Sequence, residues 1–136
     1  MPRARDLGLD LPGEAGPLNA ITDVAGLRLG HATLIDPGRR LRTGVTAILP
    51  RDDAGDPRPW AAGRAMLNGN GEMTGTPWID DAGWSFGPVV LTNTHSVGAA
   101  HHAAVGWMLE AYADFFAAEH AWAMPVVAET YDGVLS

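Results

Sequence analysis

The sequence contains no cysteine. That excludes a disulfide framework, a thiolate metal site and a cysteine nucleophile together. Basic residues are sparse: nine Lys and Arg stand against sixteen Asp and Glu, a net charge of −7. Nucleic-acid binding needs clustered cations to meet phosphates, and here they are scattered, so no nucleic-acid partner is expected. An acidic surface suits cationic substrates instead. No stretch approaches the roughly 18 consecutive apolar residues of a membrane span, so no membrane partner is expected. The opening Met1-Pro2-Arg3-Ala4-Arg5-Asp6 runs into Gly, Pro and Asp, not the apolar stretch of about 7 residues that makes a signal peptide. A cytoplasmic protein is the expectation.

What is present fits one globular domain. A chain of 136 residues with 46% hydrophobic and 18% charged residues has enough apolar side chain for a core. Seventeen glycines and ten prolines predict many turns. Residues 1–20, rich in Gly and Pro, read as an irregular lead-in laid over the surface or against a partner subunit. Between Ile21 and Leu34 the partial alternation of apolar positions predicts one or two short strands broken by Gly26 and Gly30. Gly44 to Leu49 is a β-branched run closed by Pro50 and predicts a buried strand. Residues 51–59 read as an exposed loop.

A second apolar run, Pro88 to Thr94, changes at His95-Ser96 to a helical period. Thr94 or Ser96 is the expected N-cap, its hydroxyl accepting a first-turn amide. Val97, Ala100, Ala104, Met108, Ala111 and Phe115 then recur every three or four residues, the stripe of a helix lying on a sheet. Ala123 to Glu129 predicts a further strand, ending in a carboxylate before the turn Asp132-Gly133.

Three places combine polar chemistry with a strand end or a glycine turn. In Leu67 to Gly75, alternating Asn and Gly leave backbone amides free for a ligand, or simply make a turn. The stretch lacks the Gly-Lys-Ser/Thr ending of a nucleotide loop. Thr92-Asn93-Thr94-His95-Ser96 sits where a strand feeds a helix, so Ser96 and His95 suggest a nucleophile and base. No Gly-x-Ser-x-Gly surrounds Ser96, and capping explains the same residues. His101 and His102 are neighbours on a helix and point about 100° apart, with no i, i+4 partner, so no metal is expected. At the third place Glu129 and Tyr131 lie two residues apart at a strand end and share a face. They either line one pocket, the carboxylate pairing with an ammonium group, or form an exposed strand end.

In order, these segments resemble the DmpA family of L-aminopeptidase/D-esterases and β-aminopeptidases. The resemblance is carried by Arg3 to Gly8, Gly16 to Val24, Leu29-Gly30-His31, Arg42 to Pro50, Leu67 to Gly75, Leu91 to Gly98 and Trp122 to Gly133. It implies an α/β fold, an αββα layered sandwich similar in plan to the N-terminal nucleophile hydrolases, here incomplete. It also implies a homotetramer with no metal or organic cofactor. Residues 1–136 are then the N-terminal part of one catalytic domain. In the family a precursor cuts itself before a serine, whose free α-amine, with a pKa near 8, becomes the base for its own hydroxyl. That nucleophile is expected downstream, so no catalytic residue is assigned in this chain. The family continues Leu-Asn-Asp after its Asp-Gly turn, whereas this sequence reads Val134-Leu135-Ser136. A truncated sequence is the expectation, with a separately encoded partner chain as the alternative. By resemblance Glu129 holds the substrate's free amino group and Tyr131 lines its pocket; Asn68, Asn70, Glu72 and Asn93 border it. The substrate implied is a short peptide, amino-acid amide or ester with a free amino end. A non-catalytic binding module or orphan fragment is the competing reading.

Overall fold

The computed structural model describes residues 2–51, 57–131 and 133. Val134-Leu135-Ser136, Asp132 of the expected Asp132-Gly133 turn, and residues 52–56 of the expected loop lie outside the described residues.

Two nine-residue strands, β1 (Arg28–Asp36) and β2 (Leu41–Leu49), form an antiparallel hairpin in which Arg28 faces Leu49 and Asp36 faces Leu41. The turn between them follows from its residues. Pro37 fixes the first φ, the Asp36 carboxylate accepts a hydrogen bond from the Arg39 amide (3.2 Å), and Arg40 takes the left-handed conformation. A short two-stranded sheet of β3 (Trp60–Ala61) and β4 (Trp84–Ser85) brackets helix α1 (Thr76–Ala82). The Trp78 and Trp84 rings meet there edge to face at 4.9 Å.

Strand β5 (Val89–Asn93), helices α2 (Val97–Ala111) and α3 (Ala113–Ala118), and strand β6 (Val126–Thr130) make a parallel strand–helix–strand crossover. The main sheet runs β1-β2-β5-β6. Across its centre Ala47 faces Val90 and Val90 faces Val127, so their side chains share a face. On that face Val90 and Val127 pack with Ala104 of α2, flanked by Val45, Val97 and Ala100. A second cluster joins Met108, fully buried, to Phe86 and Tyr112, with Phe115 and Phe116 at its rim.

Strands β5 and β6 and the helix stripe lie where apolar periodicity puts them, whereas the expected buried strand Gly44 to Leu49 forms as part of β2 but is only half-buried, with Ala47 exposed. Four differences have local causes. Ile21–Asp23 is a 3-10 turn, because the Asp23 carboxylate accepts from the Leu18 and Ala20 amides. Gly30 does not break a strand but lies within β1, where its partner Ala47 supplies the pairing. The helix stops at Tyr112 and restarts as α3, with Tyr112 at φ −116° and ψ 32°. Finally, neither hydroxyl caps α2: the Asn93 side-chain carbonyl accepts from the Ser96 amide (3.1 Å), making a 3-10 turn of Thr94–Ser96, and Ser96 holds the N-cap position without a side-chain bond.

Gly44 is required by contact. A Cβ there would lie 2.4 Å from the Ala32 carbonyl oxygen. Gly44→Ala must therefore pry β1 from β2, and we expect a stability loss of about 1–3 kcal/mol in a urea melt.

Candidate functional site

Glu129 is the fourth residue of β6 and reaches the strand's C-terminal end, where α/β folds expose working side chains. What surrounds it comes from the Asn-Gly segment, 51 to 53 residues earlier for the bonded pairs. Met73 bridges Ala128, and the Thr74 amide donates to the Val127 carbonyl (2.9 Å). The Thr74 hydroxyl donates to the Pro125 carbonyl and accepts from the Val127 amide, both at 2.8 Å. The segment thus pairs along the outer edge of β6, covering backbone groups that an edge strand would leave open.

This pairing carries residues 68–72 over Glu129. Asn68, Asn70, Glu72 and Glu129 line one cavity of about 430 Å³, with Arg64 and Thr76 on its wall. The loop's turn is self-made: the Asn68 side-chain oxygen accepts from the Asn70 amide (2.9 Å). Amides at Asn70 and Thr74 are therefore spent inside the protein, which argues against a phosphate cradle.

Glu129 Oε2 is buried and has no hydrogen-bond partner. A buried carboxylate oxygen with no donor is costly, so a cationic or hydrogen-bonding ligand is the group that would satisfy it. Glu72 adds a second acid to the cavity wall. Arg64 does not neutralise them, because its guanidinium is engaged with Asp80 of α1, Nε lying 3.0 Å from each carboxylate oxygen. That bond is the main cause holding the Asp80 carboxyl below the usual carboxylate range and raising the guanidinium, partial burial opposing it in both. Both stay charged at neutral pH.

Gly71 sits directly on the carboxylate, since a Cβ there would come within 3.0 Å of Glu129 Oε1. Gly71→Ala is expected to displace the Glu129 head group and to weaken about tenfold any cationic ligand that would satisfy its buried oxygen. Its melting temperature should hardly change, because the colliding atom ends a flexible side chain; paired titration and thermal scans would check both.

Two expected pocket residues stand elsewhere. Tyr131 is 90% exposed and does not line this cavity. Asn93 is buried as the last residue of β5, its amide nitrogen donating to the Thr43 hydroxyl (3.0 Å) while its oxygen accepts from the Ser96 amide. His95 is exposed, Ser96 half-buried, and no hydrogen bond joins them. Among the described residues no three His, Asp or Glu side chains form a group that could hold a metal, and no helix is long and apolar enough to cross a membrane. Sequence reasoning missed Thr74 and Arg64. Thr74 carries no local sign of pairing with a distant strand, and Arg64 reads as one more scattered charge.

Comparison with known proteins adds an independent line. The model of peptidase family S58 matches residues 19–136. A β-peptidyl aminopeptidase, BapA, from Sphingosinicella microcystinivorans is 47% identical over 99% of this chain and 34% of its own length. The L-aminopeptidase D-Ala-esterase/amidase of Ochrobactrum anthropi, described as a prototype of the serine aminopeptidases and a variant of the Ntn hydrolase fold, superposes with a TM-score of 0.90. It is 56% identical, over 99% of this chain and 39% of its own. A Burkholderia β-aminopeptidase superposes with a TM-score of 0.83 at 48% identity, over 96% of this chain and 37% of its own. The chain thus spans between a third and two-fifths of the length of these relatives, and its mixed α/β architecture is an incomplete version of their layered fold.

Proposed function

Because the chain belongs to peptidase family S58, we propose that it is the N-terminal, amine-recognising part of a self-processing serine aminopeptidase. The enzyme releases N-terminal residues from short peptides, amides or esters. The observation that carries this reading is the buried, unpartnered Glu129 Oε2 in a cavity shared with Asn68, Asn70 and Glu72.

Glu129 receives the substrate's ammonium group as a charge-assisted hydrogen bond, fixing the distance from the amino end to the scissile carbonyl. The Asn68 and Asn70 side chains border the substrate's first residue, and Glu72 keeps the wall negative. Asn93 holds the end of β5 in place through Ser96 and Thr43. The nucleophile is a serine in the remainder of the fold. Its hydroxyl adds to the carbonyl as its own α-amine takes the proton; the leaving amine departs with a proton, and water then hydrolyses the acyl-serine. The complete enzyme, in this reading, is a cytoplasmic homo-oligomer.

The test uses the 136-residue chain. We expect L-alaninamide to bind at least about tenfold more tightly than N-acetyl-L-alaninamide, whose amine is blocked. Amide NMR signals of residues 70–72 and 128–129 should move in the titration. Equal binding of both compounds, or of neither, overturns the assignment.

A further inference from the structure

The cavity that holds Glu129 has two acids on its wall, Glu72 and Glu129, and a single cation, Arg64. Left free, that arginine would close the site. Its guanidinium stands on a flexible stem, keeps its charge at every working pH and offers five donors in a fork that fits a carboxylate. Glu129 Oε2, buried without a donor, is an acceptor it would satisfy. The protein would then neutralise its own pocket.

Asp80 stands in the way of that collapse. Both of its carboxylate oxygens lie 3.0 Å from Arg64 Nε, and Arg64 Nη2 makes a further bond to one of them. A fork seated on a carboxylate is the geometry in which a partly exposed ion pair does hold. The two residues are 16 apart in sequence, and the backbone brings them together. Strand β3 pairs with β4, Trp60 facing Ser85, and the Ala62 amide donates to the Gly83 carbonyl (3.0 Å), which sets the exit of β3 against the C-terminal end of α1. Helix α1 is itself anchored by the buried Ile79 beside Asp80. The carboxylate is therefore placed by the fold, and the guanidinium comes to it. Taking the carboxylate away releases the guanidinium and leaves the backbone where it was. Asp80 does not line the cavity.

We infer that Asp80 is a positioning residue for ligand selection: acting through Arg64, it holds the guanidinium out of the cavity and leaves Glu129 to a ligand's ammonium group. The inference rests on the reading of Glu129 as an amine site. It makes the charge of the pocket depend on a residue that never touches the ligand. A released Arg64 is a tethered competitor, present at an effective concentration on the order of millimolar. If it occupies Glu129 about nine-tenths of the time, the apparent affinity for an amine falls about tenfold.

The test titrates L-alaninamide into the 136-residue chain and its variants. Asp80→Asn should bind it about tenfold more weakly than the wild type, and adding Arg64→Gln to Asp80→Asn should restore binding to within about threefold. A merely structural role for Asp80 would give no such rescue. Undiminished binding by Asp80→Asn overturns the inference, and so does a double variant as weak as Asp80→Asn alone. A second readout needs no amine: a nuclear Overhauser contact from the Arg64 Nε proton to the Glu129 side-chain methylenes should appear in Asp80→Asn and be missing in the wild type. If the wild type does not prefer L-alaninamide to its N-acetyl form, the amine site has failed and this contact alone decides, its absence from Asp80→Asn overturning the role of Asp80. Should Asp80→Asn unfold, Arg64→Lys takes its place. That substitution keeps the charge but loses the fork on Asp80, so it should bind L-alaninamide more weakly than Arg64→Gln, and equal binding by the two overturns the inference.

Discussion

Glu129→Gln is expected to lower kcat/KM for L-alanine p-nitroanilide by between about 30-fold and several thousand-fold in the assembled enzyme. Removing one partner of a buried charge pair costs about 2–5 kcal/mol, and each 1.36 kcal/mol is a factor of ten. Gln keeps the shape and one acceptor oxygen, so what is lost is the charge. Because the proposed ammonium contact would be made both before and during attack, most of the loss should fall in KM. The same substitution should leave the melting temperature unchanged or raise it. Glu129 Oε2 is buried without a donor in the unliganded protein, and removing a charge from such a place relieves a penalty. A loss of activity accompanied by a fall in stability would point to a structural carboxylate instead.

Met108→Ala is the largest expected stability effect. The side chain is fully buried between Phe86 and Tyr112, and truncating such a residue costs about 2–5 kcal/mol in lost transfer energy and an unfilled cavity. For a domain of this size that lowers the melting temperature by roughly 6–20 °C in a thermal scan. A neighbour tests the packing independently. Gly87 has φ +82°, and a Cβ there would approach Met108 Cε to 2.7 Å. Gly87→Ala therefore carries a backbone strain and a collision. Combined with Met108→Ala only the strain remains, so the double variant should be more stable than the sum of the two losses predicts.

The elements that were legible in the sequence are those whose signal is local. Val89 to Asn93 and Val126 to Thr130 are short β-branched runs with turn residues on either side, and the α2 stripe through Ala104 and Met108 repeats at helical spacing. Strand β1 was legible only in part: short strands broken at Gly30 were expected before Leu34, whereas β1 runs unbroken from Arg28 to Asp36 because the backbone of β2 pairs with it throughout. The candidate site divides in the same way. Glu129 stands out as a carboxylate after an apolar run, and Asn68 to Gly75 as a glycine-rich turn, but nothing in either segment says that they meet. That is decided by the Thr74 and Val127 hydrogen bonds. Asn93 was expected to border the pocket by resemblance to the family, and its side chain is engaged instead inside the fold, the oxygen accepting from the Ser96 amide and the nitrogen donating to the Thr43 hydroxyl. Tyr131 was expected to share a face with Glu129 by strand alternation, but β6 ends at Thr130 and the phenol is left exposed.

The Thr74 staple has a consequence for the order in which the molecule acquires its properties. The β1–β2 hairpin closes over a short span, and its register can settle as soon as its own residues are available. The bonds that lay the Asn-Gly segment on β6 close spans of 51 and 53 residues. Each long closure costs chain entropy before any bond returns it, so such contacts form late. During synthesis the emerging chain therefore carries Asn68 and Glu72 long before Glu129 exists to join them, and the cavity they share is not formed until β6 has docked.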